Sequence, residues 1–158
     1  MERKKNFFDK IGRFIPGYKG YTIREEKRNT DKKLRDILSS KIANSEKEII
    51  SSQQHLISKK ELKSCEEWEL VRKSLNTLQS KIKFAPYGES SFFSENQLKE
   101  TELDQIHELD LSISESIDQL YSTIENQNRS FSSPDVNHLI KNIENMIQGR
   151  SQFIQTFK

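Results

Sequence analysis

The sequence predicts an all-α fold: a long antiparallel helical bundle of about four long helices, with coiled-coil-like packing, preceded by a short amphipathic N-terminal helix. Three observations predict it. Apolar residues recur in three- and four-residue steps through most of the chain. The glycines and prolines, 5 and 3 in 158 residues, gather almost entirely at a few breaks. Apolar content is low, 32% against 32% charged, which suits narrow stripes on long helices better than a thick core. Leu, Ile, Val and Phe still make 41 of the 158 residues, above the roughly 20% typical of disordered chains.

Residues 1–21 read as a basic amphipathic segment closed by a Gly/Pro hinge, and residues 22–158 as the bundle domain. On a helix from Asn6 to Tyr18, Phe7, Phe8, Ile11, Phe14 and Ile15 share one face, and Lys4, Lys5, Lys10 and Arg13 occupy much of the other. Pro16-Gly17 and Gly20 break that helix. Thr22-Ile23-Arg24-Glu25 then reads as a capping box opening the second helix, which nothing interrupts until about Ile57. Its stripe (Leu34, Ile37, Leu38, Ile42, Ile49, Ile50, Leu56, Ile57) is diluted by serines. Ser58-Lys59-Lys60-Glu61 predicts a second capping box after a tight turn.

The third stripe is Cys65, Trp68, Val71, Leu75, Leu78 and Ile82, stopped by Phe84-Ala85-Pro86-Tyr87-Gly88. Residues 84–93 form the longest connection. A fourth helix is expected from near Ser94, with Leu103, Ile106, Asp110, Ile113, Ile117, Leu120 and Ile124 on its seam. Asn126 to Ser133 read as a polar turn, with Ser133 as N-cap before Pro134. The last seam runs Val136, Leu139, Ile143, Met146, Arg150, Phe153 and Phe157.

Two seam positions are charged. A hairpin turning near residue 130 sets Arg150 opposite Asp110, which predicts an ion pair that fixes register between the last two helices. Such a pair adds little over apolar residues, so Asp110→Leu is expected to leave the fold intact. Charge also divides along the chain: residues 1–83 carry a net +9 and residues 84–158 a net −7. Packing the two halves together brings opposite signs into register. GYKGYTIREEKRNTDKKLR (residues 17–35) is the most densely patterned stretch of all.

Enzymatic chemistry finds no foothold. Gly12, Gly17 and Gly20 lack the spacing of a phosphate-cradling loop, and neither a nucleophile elbow nor a paired-cysteine zinc motif occurs. His107 and His138 each follow an aspartate by three residues, Asp104 and Asp135, but the hairpin register holds them some 22 Å of helix apart. A non-enzymatic protein without cofactor, metal or small-molecule substrate is expected. The lone Cys65 implies no disulfide framework, and no apolar run approaches the roughly 18 residues of a membrane span. Asp9, Lys10 and Arg13 interrupt any signal-peptide core, so a cytoplasmic protein, peripheral at the inner membrane face at most, is the expectation.

The residue pattern therefore predicts a helical scaffold or adaptor acting through protein–protein contacts or through peripheral attachment to an anionic membrane. The predicted contact set is Phe7, Phe8, Ile11, Phe14, Ile15, Lys4, Lys5, Lys10, Arg13, Tyr18 and Tyr21. The alternative is a self-assembling structural protein whose N-terminal helix packs on its own bundle. A nucleic-acid binder is a distant third. The bases from Arg24 to Arg35 are interleaved with acids at intrahelical pairing distances, and residues 94–127 carry a net −8 that repels phosphate.

Overall fold

The computed structural model describes residues 2–85, 91–94, 98–126 and 133–157. Among these are five α-helices: α1 (Glu2–Phe14), α2 (Arg24–Ser58), α3 (Leu62–Lys83), α4 (Glu100–Asn126) and α5 (Ser133–Gln155). A 3-10 turn spans Ser91–Phe93 between α3 and α4. The described residues contain no strand. Side chains of residues 2–5, Glu25 and Ser133 lie outside the description, as do residues 86–90 of the long connection and 127–132 of the polar turn.

Two antiparallel hairpins, α2/α3 and α4/α5, pack side by side, with α2 against α4 and α3 against α5. Ion pairs mark the register. Arg72 Nη1 lies 2.8 Å from Glu46 Oε1 across the first hairpin. Between the hairpins, Lys41 Nζ meets Asp118 Oδ1 at 2.7 Å and Lys81 Nζ meets Glu144 Oε1 at 3.0 Å. The last two join the basic half to the acidic half. The predicted seams are the core: Trp68, Val71, Leu75, Leu78 and Ile82 of α3 and Ile106, Ile113, Ile117, Leu120 and Ile124 of α4 are buried. Burying each such side chain stabilises the fold by about 1.5–3 kcal/mol.

Both predicted capping boxes are corrected by the geometry. The N-cap of α2 is Ile23, extended and without a side-chain cap, one residue beyond Thr22. The Ser58 hydroxyl donates to the His55 carbonyl at 2.7 Å, so it finishes α2 instead of starting α3. The chain turns there through Lys60 at φ 61°. Lys60 N–H bonds to the Ile57 carbonyl and Glu61 N–H to the Leu56 carbonyl, the two bonds of a Schellman motif. A further boundary moves because Ser94 closes the 3-10 turn, bonding back to the Ser91 carbonyl. Helix α4 starts six residues later, where the Glu102 carboxylate accepts the Lys99 N–H at 2.6 Å.

Helix α1 ends at Phe14 because Pro16 cannot continue it. Tyr18 N–H closes a turn onto the Ile15 carbonyl at 3.1 Å, with Gly17 at φ 72°. Pro then Gly at the two central positions is the composition of a type II turn. The reversal lays α1 along α4 as a fifth helix, its Ile11 and Ile15 fully buried in the same core as the long helices.

Candidate functional site: a buried ion-pair network

The stretch 17–35 folds into the polar centre of the molecule. The Tyr18 and Tyr21 hydroxyls both donate to Asp110 Oδ2, at 2.6 and 2.8 Å. Arg150 Nε donates to Asp110 Oδ1 at 2.6 Å. Its Nη2 donates to the Tyr21 oxygen and to Asp31 Oδ1, both at 2.8 Å. Asp31 Oδ2 in turn lies 2.8 Å from Arg35 Nη2. Two carboxylates and two guanidiniums leave the cluster neutral, and the Asp110 side chain is 0% exposed.

The members arrive from four places: the linker after α1, α2, α4 and α5. Gly20, at φ 75°, turns the linker so that Tyr18 and Tyr21 point inward. A Cβ there would stand 2.7 Å from His107 Nε2 and 3.2 Å from Phe8 Cζ, so only glycine fits. One α-turn apart on α2, Asp31 and Arg35 share a face; Asp110 comes from α4 and Arg150 from α5. The crossover is fastened to the same region: Arg35 Nη1 donates to the Ala85 carbonyl at 2.6 Å and Lys27 Nζ to the Phe92 carbonyl at 3.1 Å. Around the network lie rings. His107 stacks on Phe7 with centroids 4.9 Å apart and on Tyr21 at 6.1 Å.

Burial, and then the Asp110 charge, hold both phenols well above their ordinary value near 10. Burial alone disfavours the Arg150 charge, but Asp110, Tyr21 and Asp31 outweigh it and the guanidinium stays protonated. A phenol that keeps its proton here is a donor, which two of the three hydrogen bonds to and from the Tyr18 and Tyr21 hydroxyls require.

Of the residues the sequence singled out, the structure brings Asp110, Arg150, Tyr18 and Tyr21 together. It sets Ile11, Ile15, Phe7, Phe8 and Phe14 on or in the core, while Lys10 and Arg13 point to solvent. In this arrangement the apolar face and both tyrosines are turned inward, because α4 offers the same apolar burial within the chain. The side chains of Lys4 and Lys5 lie outside the description. Asp31 and Arg35 were missed as network members. Their signal was present, since Asp31 continues the Leu34, Leu38, Ile42 stripe backwards by one turn and Arg35 stands one turn before Leu38, as Asp110 and Arg150 interrupt theirs. His107 is buried as well.

The cavities that the described residues leave beside the cluster are small. The cavities on its α5 side measure about 60 and 20 Å³, and the depression beside Tyr18 about 170 Å³. Sites that hold a small-molecule ligand run to roughly 300–1,000 Å³. Among the described residues no group of three metal-ligating side chains forms, and no helix is long and apolar enough to cross a membrane. No family model, curated protein or solved structure matches the chain.

Proposed function

We propose that this protein is a non-enzymatic helical scaffold that binds a protein partner at the tip of its α2/α3 hairpin. One observation carries the reading: among the described residues, that tip runs past the ends of α4 and α5 and is apolar on its outside. The Lys41–Asp118 pair sets Asn126, the last residue of α4, level with about residue 49 of α2. Residues 50–58 extend roughly 14 Å further. On α3, the Lys81–Glu144 pair likewise leaves residues 62–69 ahead of the first residue of α5. Ile57 (56% exposed) and Leu62 (64%) bracket the turn, with Ile50 and Leu70 exposed behind them. Apolar side chains that a bundle leaves uncovered in one place are what a partner covers.

The test is a photo-crosslinker at Ile57, compared with one at Gln105 on the exposed face of α4, in the cell of origin. A partner captured at the tip, absent from Gln105 and lost in Ile57→Ser/Leu62→Ser with unchanged melting, supports the reading. Equal capture at both positions defeats it. Self-assembly through the same surface gives a dimer mass by light scattering at micromolar concentration.

A second reading, attachment to an anionic membrane, is supported by the bases gathered at the opposite end. Lys10, Arg13, Lys19, Arg24, Arg28, Lys32 and Lys33 are all exposed on α1, the linker and the first third of α2. Near an anionic bilayer each contributes about 1 kcal/mol of attraction. Vesicle co-sedimentation with and without residues 1–20 tests it, and no pelleting on anionic vesicles removes it.

A further inference from the structure

We infer that α1 is a stowed membrane foot: it rests on α4 in the free protein and swings out at Pro16–Gly17 onto an anionic lipid surface, while Tyr18 and Tyr21 stay fixed in the bundle. This rests on the membrane reading and adds to it a hinge, an anchor and a displaced surface.

The anchor and the mobile part are separated by two residues. Tyr18 and Tyr21 are tied to Asp110 and Arg150 from the far side of the hinge, so they hold the chain whatever α1 does. Before the hinge, α1 packs chiefly on α4, through its apolar face, through the Phe7 and Phe8 rings against His107, and through the Phe14 ring under Lys41 Nζ, 5.1 Å from its centroid. Pro16 and Gly17 themselves are exposed. Rotation there breaks one backbone hydrogen bond, Tyr18 N–H to the Ile15 carbonyl.

The face that docks is also only partly closed. Ile11 and Ile15 are fully buried, whereas Phe7, Phe8 and Phe14 pack against the core and are only partly buried. Three aromatics with one side still wet gain burial at a headgroup boundary that α4 does not give them. The outward side chains Lys10 and Arg13, with Lys19 past the hinge, lie where phosphates and serine carboxylates would meet them. Neutral lipid offers only an exchange of one apolar contact for another, so α1 stays on α4. Anionic lipid adds the attraction of the bases, and the exchange turns in its favour.

The experiment uses the full chain with phosphatidylcholine vesicles and with vesicles that also contain phosphatidylserine, read by co-sedimentation and by hydrogen exchange. Pelleting is expected with phosphatidylserine alone. On binding, amides of α4 from Leu103 to Ser114 should lose protection while residues 6–14 keep theirs. Lys10→Glu/Arg13→Glu, two exposed positions whose reversal leaves the fold intact, should lower the bound fraction about tenfold or more. If the wild-type chain stays in the supernatant, the membrane reading falls and the inference with it. If it pellets while Leu103 to Ser114 keep full protection, the membrane reading stands and the release of α1 is overturned.

Discussion

At Asp110 three donors converge on one carboxylate, and that number changes what the residue is worth. The expectation from sequence, that Asp110→Leu leaves the fold intact, held for a single cross-hairpin pair. In the structure the substitution strands Arg150 in the interior, with both phenols deprived of their acceptor. Breaking a buried pair by removing one partner costs about 3–5 kcal/mol. We predict that loss for Asp110→Leu by urea denaturation. In Asp110→Leu/Arg150→Met a good part is restored; if the double variant is as unstable as the single, the stranded charge is not the cause. Gly20 is the other residue on which the site depends. Gly20→Ala combines a positive φ with a Cβ against His107 and should cost about 1–3 kcal/mol by the same assay. The seam spacing made Asp110 and Arg150 visible in advance. Tyr18, Tyr21, Asp31 and Arg35 were visible only as a dense local pattern, because the partners of Tyr18, Tyr21 and Asp31 on α4 and α5 lie 89 or more residues away and the tyrosines sit on a turn whose direction depends on Gly20.

Among the elements, the helices follow from apolar spacing and their ends from local chemistry, and the two were not equally legible. Every stripe that the spacing predicted lies on a helix but for Ile15 and Phe157, just past the ends of α1 and α5, since a seam of period near 3.5 buries itself only in that conformation. The caps were misread because a Ser-x-x-Glu pattern says nothing about which backbone groups the turn has already satisfied. At the α2/α3 turn the Schellman bonds put Lys60, not a glycine, in the left-handed region at φ 61°. Lys60→Gly should therefore raise stability by about 0.5–1 kcal/mol, read as a higher urea midpoint at unchanged slope. No gain would mean that the Lys60 side chain makes a compensating contact. The hinge at Pro16–Gly17 belongs to the same scale: proline ends α1 and glycine lets the chain double back.

The molecule as a whole is two hairpins of opposite charge joined by a neutral polar centre. The cross-hairpin ion pairs at Lys41–Asp118 and Lys81–Glu144 are partly exposed and each contributes about 0–1 kcal/mol, so salt should weaken the fold only slightly. Alkali acts on the centre instead. The unfolded chain releases the Tyr18 and Tyr21 protons near pH 10, whereas the folded chain keeps them well above it. The unfolded state then binds fewer protons, so stability is unaffected below pH 10 and falls above it. The loss approaches about 1.4 kcal/mol per pH unit for each phenol. Alkaline unfolding followed by tyrosinate absorbance near 295 nm should show these two phenols titrating only as the fold opens. If both titrate near pH 10 with helicity intact, the network is open to solvent.

From its sequence alone, this protein is determined to be an all-α chain of long amphipathic helices, with breaks where Pro and Gly fall and a charged pair at one height of the last hairpin. Those properties are local, set by which side chains recur on one face and which residues cannot continue a helix. Tertiary structure decided where the N-terminal Phe face goes, because α4 and a lipid surface satisfy it through the same apolar burial and only the packed bundle shows that α4 is within reach. It also decided that four residues from the first 35 close around Asp110 and Arg150, since a hydrogen-bond network spanning the chain has no periodicity for a sequence to display.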